Sequence, residues 1–264
     1  MNSILITIKA TNEQQEILIS DLADLAEGFE QTDDALLAYF NELNFESYEV
    51  NKLLSVYKFE TQVIKERNWN QEWERNFKPV KVGSFCYIRA EFHEKADDVL
   101  YDIVITPKMS FGTGHHATTY MMVEQMKNLS FKNKSVLDFG TGTGILAILG
   151  KKCGAQNVLA IDNDEWSIKN SKENSINNGC EITIQLASTI PDDRFDIILA
   201  NINRNVIVAT IHSLKNALVD NGYLLISGLL KQDKEFIDAV TEGLQMRNIL
   251  EKDNWISILY KKGI

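Results

Sequence analysis

The stretch that decides the fold runs from Val136 to Ile148 and reads V-L-D-F-G-T-G-T-G-I-L-A-I. It begins as a short apolar strand, turns abruptly at Gly140, Gly142 and Gly144, and continues into a helix. Glycine at these positions permits positive φ and leaves no Cβ to hold a flat ligand away from the backbone. The unpaired N–H groups of the first helical turn point back at the same place. The stretch therefore predicts a ligand-binding turn between a strand and a helix.

The next strand is followed by an acid that is suited to hold a ribose. Residues 157–161 (N-V-L-A-I) read as a strand, and Asp162 comes directly after them. In a βαβ unit the ends of consecutive parallel strands lie side by side. The carboxylate can therefore accept hydrogen bonds from both hydroxyls of a ribose placed over the glycine turn. Together the two features predict a nucleoside cofactor.

The spacing of the glycines indicates which nucleoside is bound. Dinucleotide-binding turns have the pattern G-x-G-x-x-G, whereas this turn has G-x-G-x-G and carries Asp138 on the strand before it. A carboxylate there repels a pyrophosphate but attracts the cationic amino-acid end of S-adenosylmethionine, which has no phosphate. The D-x-G-x-G-x-G pattern, with an acid after the following strand, resembles motif I of the class I methyltransferases.

A second glycine-containing stretch precedes the turn. Residues 111–119 (F-G-T-G-H-H-A-T-T) stand before a helical run at 120–129. The hydroxyls of Thr118 and Thr119 are suited to the N-terminus of this helix, which is expected to point into the site.

A third stretch supplies an amide at the end of a strand. Residues 196–203 (D-I-I-L-A-N-I-N) read as a buried strand that ends at Asn201. This amide can accept a hydrogen bond from an amine and donate one to the cofactor; the alternative is a turn-forming asparagine. Because ligands bind at the carboxyl ends of parallel strands, Gly140, Asp162 and Asn201 are expected to meet there.

These motifs together resemble the ribosomal protein L11 methyltransferases. The matching segments are F-G-T-G-H-H-A-T-T, D-F-G-T-G-T-G, A-I-D and L-A-N-I, and the H-H-x-T-T element discriminates this family from the wider superfamily. The run from Trp69 through Trp73 and Phe77 to Pro79 is similar to the interdomain region of that family. The resemblance covers residues 65–205 by motif and the remainder by layout.

The resemblance implies binding of S-adenosylmethionine, with S-adenosylhomocysteine as the product, and methylation of L11 either free or on the large subunit. It also implies that a small N-terminal domain recognises L11 and that the enzyme makes no sequence-specific contact with nucleic acid. Two departures matter: residues 187–189 (A-S-T) lack the acid common in the adenine loop, and residues 201–203 (N-I-N) lack the prolines of the N-P-P-Y motif. The predicted cofactor-binding residues are Thr119, Asp138, Gly140, Thr141, Gly142, Gly144, Asp162 and Asn201.

The expected reaction is attack of an unprotonated amine on the sulfonium methyl group. A lysine has a pKa near ~10.4 and must lose a proton before it can attack, so aligning and desolvating the amine are the enzyme's main tasks. Asn201 is expected to orient the amine as an acceptor. His115 and His116 are candidates to relay the proton, and the alternative is that they hold the loop.

Other functions fit the sequence less well than methylation of L11 or remain as alternatives to it. A nucleic-acid adenine methyltransferase requires N-P-P-Y and a basic face, and both are absent from the sequence. The glycine spacing disfavours a nicotinamide oxidoreductase. A non-enzymatic cofactor-binding module, or a class I methyltransferase of another protein, nucleic acid or small-molecule amine, remains as an alternative.

Composition and charge set further expectations. The chain has 264 residues, 44% hydrophobic, and a net charge of −10. Residues 1–60 carry −9 of this charge, which attracts a cationic partner or serves solubility. The absence of a long apolar run and of a signal peptide predicts a cytoplasmic protein without membrane contact. The three scattered cysteines fit reduced thiols and predict no metal site.

The order of elements predicts an α/β fold, a doubly wound, seven-stranded Rossmann-like methyltransferase sheet with a small N-terminal α+β domain. The predicted domains are an N-terminal unit at 1–55, a partly helical linker at 56–78 and a methyltransferase domain at 79–264. In the N-terminal unit we expect strands at 3–8, 29–31 and 48–50 and helices at 12–25 and 33–40. Residues 85–90 and 101–105 are expected to form an antiparallel pair. The large sheet is expected from strands at 135–139, 157–161, 181–186, 194–200, 222–228, 246–251 and 255–260, with helices at 144–153, 164–178, 205–219 and 231–243.

Overall fold

The structure, a computed structural model, describes residues 3–22, 25–45, 48–64, 77–106, 108 and 110–263. The chain divides into two compact units, Met1–Arg75 and Asn76–Ile264.

The N-terminal unit is a four-stranded antiparallel sheet with helices on one face. Its elements are β1 (Ser3–Lys9), α1 (Asn12–Leu22), β2 (Gly28–Gln31), β3 (Ala35–Asn41), α2 (Glu42–Phe45), α3 (Tyr48–Leu54) and β4 (Phe59–Ile64). The strand order is β2-β3-β1-β4. Alternate residues of β1 are buried and form a core with the apolar residues of α1, α3 and β3. The strand therefore has the period-two pattern of a sheet covered on one side.

Three predictions for this unit are wrong. The helix expected at 33–40 is the strand β3, because Leu36, Ala38 and Phe40 are buried at alternate positions and the two preceding acids lie in the β2–β3 turn. The strand expected at 48–50 is the helix α3, whose Val50 and Leu54 are buried four residues apart. Finally, β4 occupies residues predicted as linker and pairs with β1. Residues 65–76 of that linker, which include Trp69 and Trp73, lie outside the described residues.

The second unit begins with a three-stranded sheet of β5 (Val80–Val82), β6 (Cys86–Arg89) and β7 (Tyr101–Val104). The strands β6 and β7 run parallel, so the predicted antiparallel pair is wrong. The reason lies in residues 90–100, which do not join the two strands as a hairpin. They instead carry the chain back to the start of β6, where the Tyr101 N–H donates to the Phe85 carbonyl at 3.0 Å. A return connection of this length is what a parallel pair requires.

The large sheet confirms the predicted fold class. Its strands are β8 (Ser135–Phe139), β9 (Asn157–Asp162), β10 (Thr183–Leu186), β11 (Phe195–Asn201), β12 (Leu218–Leu230), β13 (Leu244–Lys252) and β14 (Trp255–Lys262). The order is β10-β9-β8-β11-β12-β14-β13. The first five are parallel, whereas β14 runs antiparallel to both β12 and β13. The last strand therefore lies inside the sheet.

Helices pack on both faces of this sheet. They are α4 (Ala117–Met126), α5 (Ile145–Lys152), α6 (Glu165–Asn177), α7 (Arg204–Ala217) and α8 (Lys234–Val240). Val136 on β8 enters one apolar core and its neighbour Leu137 enters the other, which is the pattern of a sheet buried on both sides. The α4 side chain of Gln125 donates to the Ser257 carbonyl of β14 at 2.9 Å. No helix in the described part of the chain has the length and hydrophobicity needed to cross a bilayer.

Candidate functional site

The turn after β8 has the positive φ angles that its glycines predict. The φ angles are 77° at Gly140 and 54° at Gly142. A Cβ on Gly140 would lie 2.3 Å from Cγ2 of Ile202, and one on Gly142 would lie 2.3 Å from the carbonyl oxygen of Phe111. The expected reason for these glycines is the close approach of a ligand. The structure shows that the chain itself approaches the turn this closely, so glycine is required in the free protein as well.

The carboxylate of Asp162 is fixed against this turn. One oxygen accepts the Gly142 N–H at 2.9 Å, and the other accepts the Asp164 N–H at 3.1 Å. Each carboxylate oxygen can accept two hydrogen bonds, so both retain capacity for a ligand. The end of β9 therefore presents an oriented acceptor pair beside the glycines.

Asp138 lies beneath the turn and is fully buried. One of its oxygens accepts the Thr141 hydroxyl at 2.6 Å and the Ala147 N–H at 3.1 Å. Its other oxygen, Oδ1, has no partner among the described residues. Burial raises the pKa of this carboxyl to about 7, with a further increase from Asp162, while the Thr141 and Ala147 hydrogen bonds act in the opposite direction. The carboxyl and Thr141 thus hold the turn from inside, and their predicted contact with the cofactor stays a prediction.

The loop that carries the F-G-T-G-H-H residues is bonded directly to the glycine turn. Thr143 donates its N–H to the Phe111 carbonyl at 2.9 Å and its hydroxyl to the Gly112 carbonyl at 2.7 Å. Phe111 is 51% exposed despite its size. The two motifs that the sequence assigned to one site are therefore adjacent, and an aromatic ring stands at their junction.

Both histidines of this loop make local contacts. His115 Nε2 lies 2.8 Å from the Lys78 carbonyl, and Nδ1 lies 3.1 Å from the Thr113 hydroxyl. His116 is the N-cap of α4, where Nδ1 accepts the Thr118 N–H at 3.3 Å, and its ring packs against Phe111 and Trp255. The predicted capping by Thr118 and Thr119 is wrong, because both residues lie inside the helix. These contacts match the alternative in which the histidines hold the loop.

Asn201 ends β11 and presents an unpaired acceptor. Its Nδ2 donates to the hydroxyl of the fully buried Thr119 at 3.2 Å, whereas its Oδ1 is buried and has no partner within the described residues. The next residue is fixed as well, because the Ile202 N–H donates to the Ser227 carbonyl at 3.2 Å. Asn203 then caps α7 by accepting the Val206 N–H at 3.0 Å.

A cleft of about 340 Å³ lies at the carboxyl ends of these strands. A larger groove of about 680 Å³ lies at the amino ends, but ligands of doubly wound sheets bind at the carboxyl ends, so the smaller cleft is the candidate site. His115, His116, Thr119 and Asp138 do not line the cleft. Its lining residues are Phe111, Phe139, Gly140, Gly142, Asp162, Asn163, Ser167, Ala187, Ser188, Asn201, Ile202, Asn203 and Val206.

This cleft fits the nucleoside cofactor that the motifs predict. It offers a carboxylate at one strand end, an amide with a free oxygen at another, and apolar surface from Ile202 and Val206 for a flat base. The lining residues outside the predicted site are Phe111, Phe139, Asn163, Ser167, Ala187, Ser188, Ile202, Asn203 and Val206. Phe111 begins the F-G-T-G-H-H-A-T-T motif and Asn163 directly follows Asp162, so the sequence carries a signal for these two. The described residues contain no group of histidine, cysteine and acidic side chains arranged to hold a metal ion.

Comparisons with known proteins agree with one another. A family model described as "Ribosomal protein L11 methyltransferase (PrmA)" matches residues 2–263. The chain is 34% identical over 260 residues to the ribosomal protein L11 methyltransferase of Porphyromonas gingivalis, which covers 93% of this chain and 90% of that protein. The corresponding protein of Phocaeicola vulgatus is 34% identical over 270 residues, with 96% of both chains covered. A crystal structure of ribosomal protein L11 methylase from Lactobacillus delbrueckii subsp. bulgaricus has a TM-score of 0.66 at 27% identity, covering 71% of this chain and 100% of that one.

Proposed function

The chain belongs to the ribosomal protein L11 methyltransferase family, and from that premise we propose that it transfers methyl groups from S-adenosylmethionine to amino groups of L11. The acceptors are lysine side chains, the N-terminal α-amine, or both. Family membership makes the chain a methyltransferase of this ribosomal protein. The proposal adds the methyl donor and the chemical class of the acceptor.

The observation that carries the proposal is the unpaired Oδ1 of Asn201. A buried acceptor without a partner is costly, and binding a donor there removes the cost. An amine can donate an N–H group to this oxygen while its lone pair remains free to attack the methyl group. Bonded to Thr119 on its other side, the amide is held in one orientation and lines the same cleft as Gly140 and Asp162. It is therefore suited to align an amine beside a bound cofactor.

The chemistry needs little beyond this alignment. S-adenosylmethionine supplies an electrophilic methyl group on a sulfonium. The lone pair of a neutral amine forms the new N–C bond as the S–C bond breaks, and the surplus proton of the methylated ammonium passes to solvent. Asn201 holds the N–H of the amine, and the apolar wall of Ile202 and Phe111 excludes water from it. Neither His115 nor His116 lines the cleft, so we assign them to the loop rather than to the proton transfer.

We assign the cofactor to the glycine turn and its neighbours. The carboxylate of Asp162 would accept the ribose hydroxyls, and the backbone at Gly140 and Gly142 would face the amino-acid end. The base would lie between Ile202 and the loop at Ala187 and Ser188. Because Asp138 is buried behind the turn, it would act on the cationic end across the backbone.

We further propose that the N-terminal unit, Met1–Arg75, recognises L11 through its acidic surface. Residues 1–60 carry a net charge of −9, which favours a cationic partner and steers its approach. The same charge repels nucleic acid, so recognition rests on the protein and not on ribosomal RNA. The substrate would be accepted either free or on the large subunit.

The test is methyl transfer from labelled S-adenosylmethionine to purified L11. Peptide mass spectrometry then locates the label on lysines or on the N-terminus. A matched substrate has its amines acetylated beforehand, and we expect it to accept no label. Equal labelling of native and acetylated L11 would show that the acceptor is not an amine. Running the assay on intact large subunits measures whether assembled L11 is a substrate.

A further inference from the structure

Two asparagines of α6 and the asparagine that caps its C-terminus hold the backbone at the end of β7. Asn170, Asn174 and Asn178 are spaced four residues apart and so lie on one face of the helix. Asn178 accepts the Val104 N–H at 2.9 Å and donates to the Val104 carbonyl at 2.6 Å. Asn174 accepts the Thr106 N–H at 2.8 Å, and Asn170 donates to the Thr106 carbonyl at 3.3 Å. These amides take the place of a neighbouring strand along the edge of this segment that does not face β6.

Asn174 differs from the other two because it also reaches the glycine turn. Its Nδ2 donates to the Thr143 carbonyl at 2.8 Å, and the side chain is fully buried. Thr143 in turn donates to the carbonyls of Phe111 and Gly112. The chain after β7 is thus connected to Thr143 at two places. At Thr106 the connection runs through the side chain of Asn174, and at Phe111 it is the bond from the Thr143 N–H to the Phe111 carbonyl. The Asn174 amide therefore joins the glycine turn to Thr106. Phe111, farther along the same connection, lines the cleft.

We propose that Asn174 is a positioning residue for the cofactor site, which sets the shape of the glycine turn and of the loop at Phe111 together. It touches neither the cleft nor any reacting group. It acts by fixing the Thr143 carbonyl, and hence the peptide unit between Thr143 and Gly144 at the start of α5. This inference rests on the proposed cofactor site, but the network itself is present in the free protein.

The expected effect follows from burial. Removing the amide leaves the Thr106 N–H and the Thr143 carbonyl without partners in a dry environment, so the turn must shift or admit water. We expect Asn174→Ala to weaken S-adenosylmethionine binding by about 10-fold. Asn178→Ala breaks two bonds to Val104 and one to the Asn174 carbonyl but none to the turn. It is expected to lower the melting temperature by a similar amount with cofactor affinity within about twofold of wild type.

The experiment compares full-length wild type, Asn174→Ala and Asn178→Ala. Calorimetry gives the Kd for S-adenosylmethionine, and thermal unfolding without cofactor gives the stability loss of each variant. Amide hydrogen exchange on the cofactor-free protein reports the Thr143 N–H, which donates to Phe111. We expect faster exchange at Thr143 in Asn174→Ala and wild-type exchange there in Asn178→Ala.

A third variant separates the two halves of the Asn174 contact. Asn174→Asp retains an acceptor for Thr106 and, when ionised, lacks the donor for Thr143; it decides the question if Asn174→Ala does not fold. Equal effects of the Asn174 and Asn178 variants on affinity and exchange, or no effect of either, would overturn the positioning role. If wild type itself failed to bind S-adenosylmethionine, the proposed cofactor would be wrong, and the exchange data would still test Asn174 separately.

Discussion

The glycine turn and the N-terminal sheet assign function to residues in different ways. At the turn, Asp162 and Asn201 each have a fixed orientation and line one cleft. Between residues 1 and 60 the sequence has twelve acidic residues, and those that the structure describes are spread over helices, strands and turns. In the proposed function, chemistry is concentrated in single atoms, whereas recognition is distributed over a surface. Single substitutions are therefore expected to be severe at the turn and mild in the N-terminal unit.

The largest expected effect comes from removing the distributed surface altogether. A chain that begins at Asn76 retains both apolar cores of the large sheet, so we expect it to fold and to bind S-adenosylmethionine normally. Its kcat/KM for L11 should fall by about 1,000-fold, because the amine is no longer held near the site. Calorimetry and a methyl-transfer assay run in parallel measure the two properties. Normal methylation by the truncated chain would make the acidic surface a solubility feature.

Replacing a single exposed acid tests whether recognition is distributed over the acidic surface. Glu30→Gln removes one charge from β2, and we expect kcat/KM for L11 to change by less than about twofold.

The second-largest effect is expected in the turnover number. Asn201→Ala removes the acceptor that orients the amine, and we expect kcat to fall by about 100-fold with a smaller change in cofactor affinity. Asn201→Asp keeps an acceptor at the same place and should lose less. Steady-state kinetics with L11, together with a cofactor Kd for each variant, provide the measurement. Normal turnover with weaker cofactor binding would remove Asn201 from the reaction.

Cofactor affinity should respond to Asp162. Asp162→Ala removes hydrogen bonds to a charged group, so we expect S-adenosylmethionine binding to weaken by about 1.5–3 kcal/mol. Asp164 is a matched control because it caps α6 through Ser167 and does not line the cleft. Asp164→Ala should lower the melting temperature and leave affinity nearly unchanged. Unaltered affinity in a folded Asp162→Ala protein would contradict the assigned site.

The smallest expected effect is on stability and concerns the buried carboxyl of Asp138. Its pKa is raised from 3.8 to about 7 by burial foremost, so the folded state binds its proton more tightly than the unfolded state does. The stability from this proton is fully present below pH 3.8 and is lost as the pH rises through about 7.

Asp138→Asn removes this titration. The free energy of unfolding of wild type, relative to that variant, should therefore decrease from pH 4 to pH 7 and level off above pH 8. Urea unfolding of the cofactor-free proteins measures the difference at each pH. A difference that is constant with pH would show that folding does not shift the pKa of this carboxyl.

The same contrast explains how far the sequence predicts the structure. The glycine turn is predictable because the backbone at Gly140 and Gly142 imposes a local demand that few residues meet. The strands of the large sheet are apolar throughout, since both faces are buried, and this marks them in the sequence. Even at the glycine turn, close approach of a ligand is only part of the reason for glycine, because Ile202 and Phe111 already approach Gly140 and Gly142 in the free protein.

The wrong predictions occur where contacts between segments distant in the sequence decide the secondary structure or the strand pairing. Leu36, Ala38 and Phe40 alternate in the sequence as strand residues do, but residues 33–40, which include the two acids of the turn, were predicted as a helix. The parallel pairing of β6 with β7 depends on the path of residues 90–100, which carries no local signal. The capping role of His116 and the asparagine contacts of α6 are similarly set by packing partners.

The position of β14 inside the large sheet has a consequence for synthesis of the enzyme. His116 packs its ring against Trp255, and Gln125 bonds to Ser257, so the helix that carries Thr119 rests on residues 255–262. A ribosome extends the chain from its N-terminus, and the glycine turn emerges more than a hundred residues before this strand. The nascent chain therefore holds an incomplete sheet, with β12 and β13 unpaired on their facing edges. The contact between Thr119 and Asn201 therefore gains the support of β14 only after residues 255–262 have been synthesised.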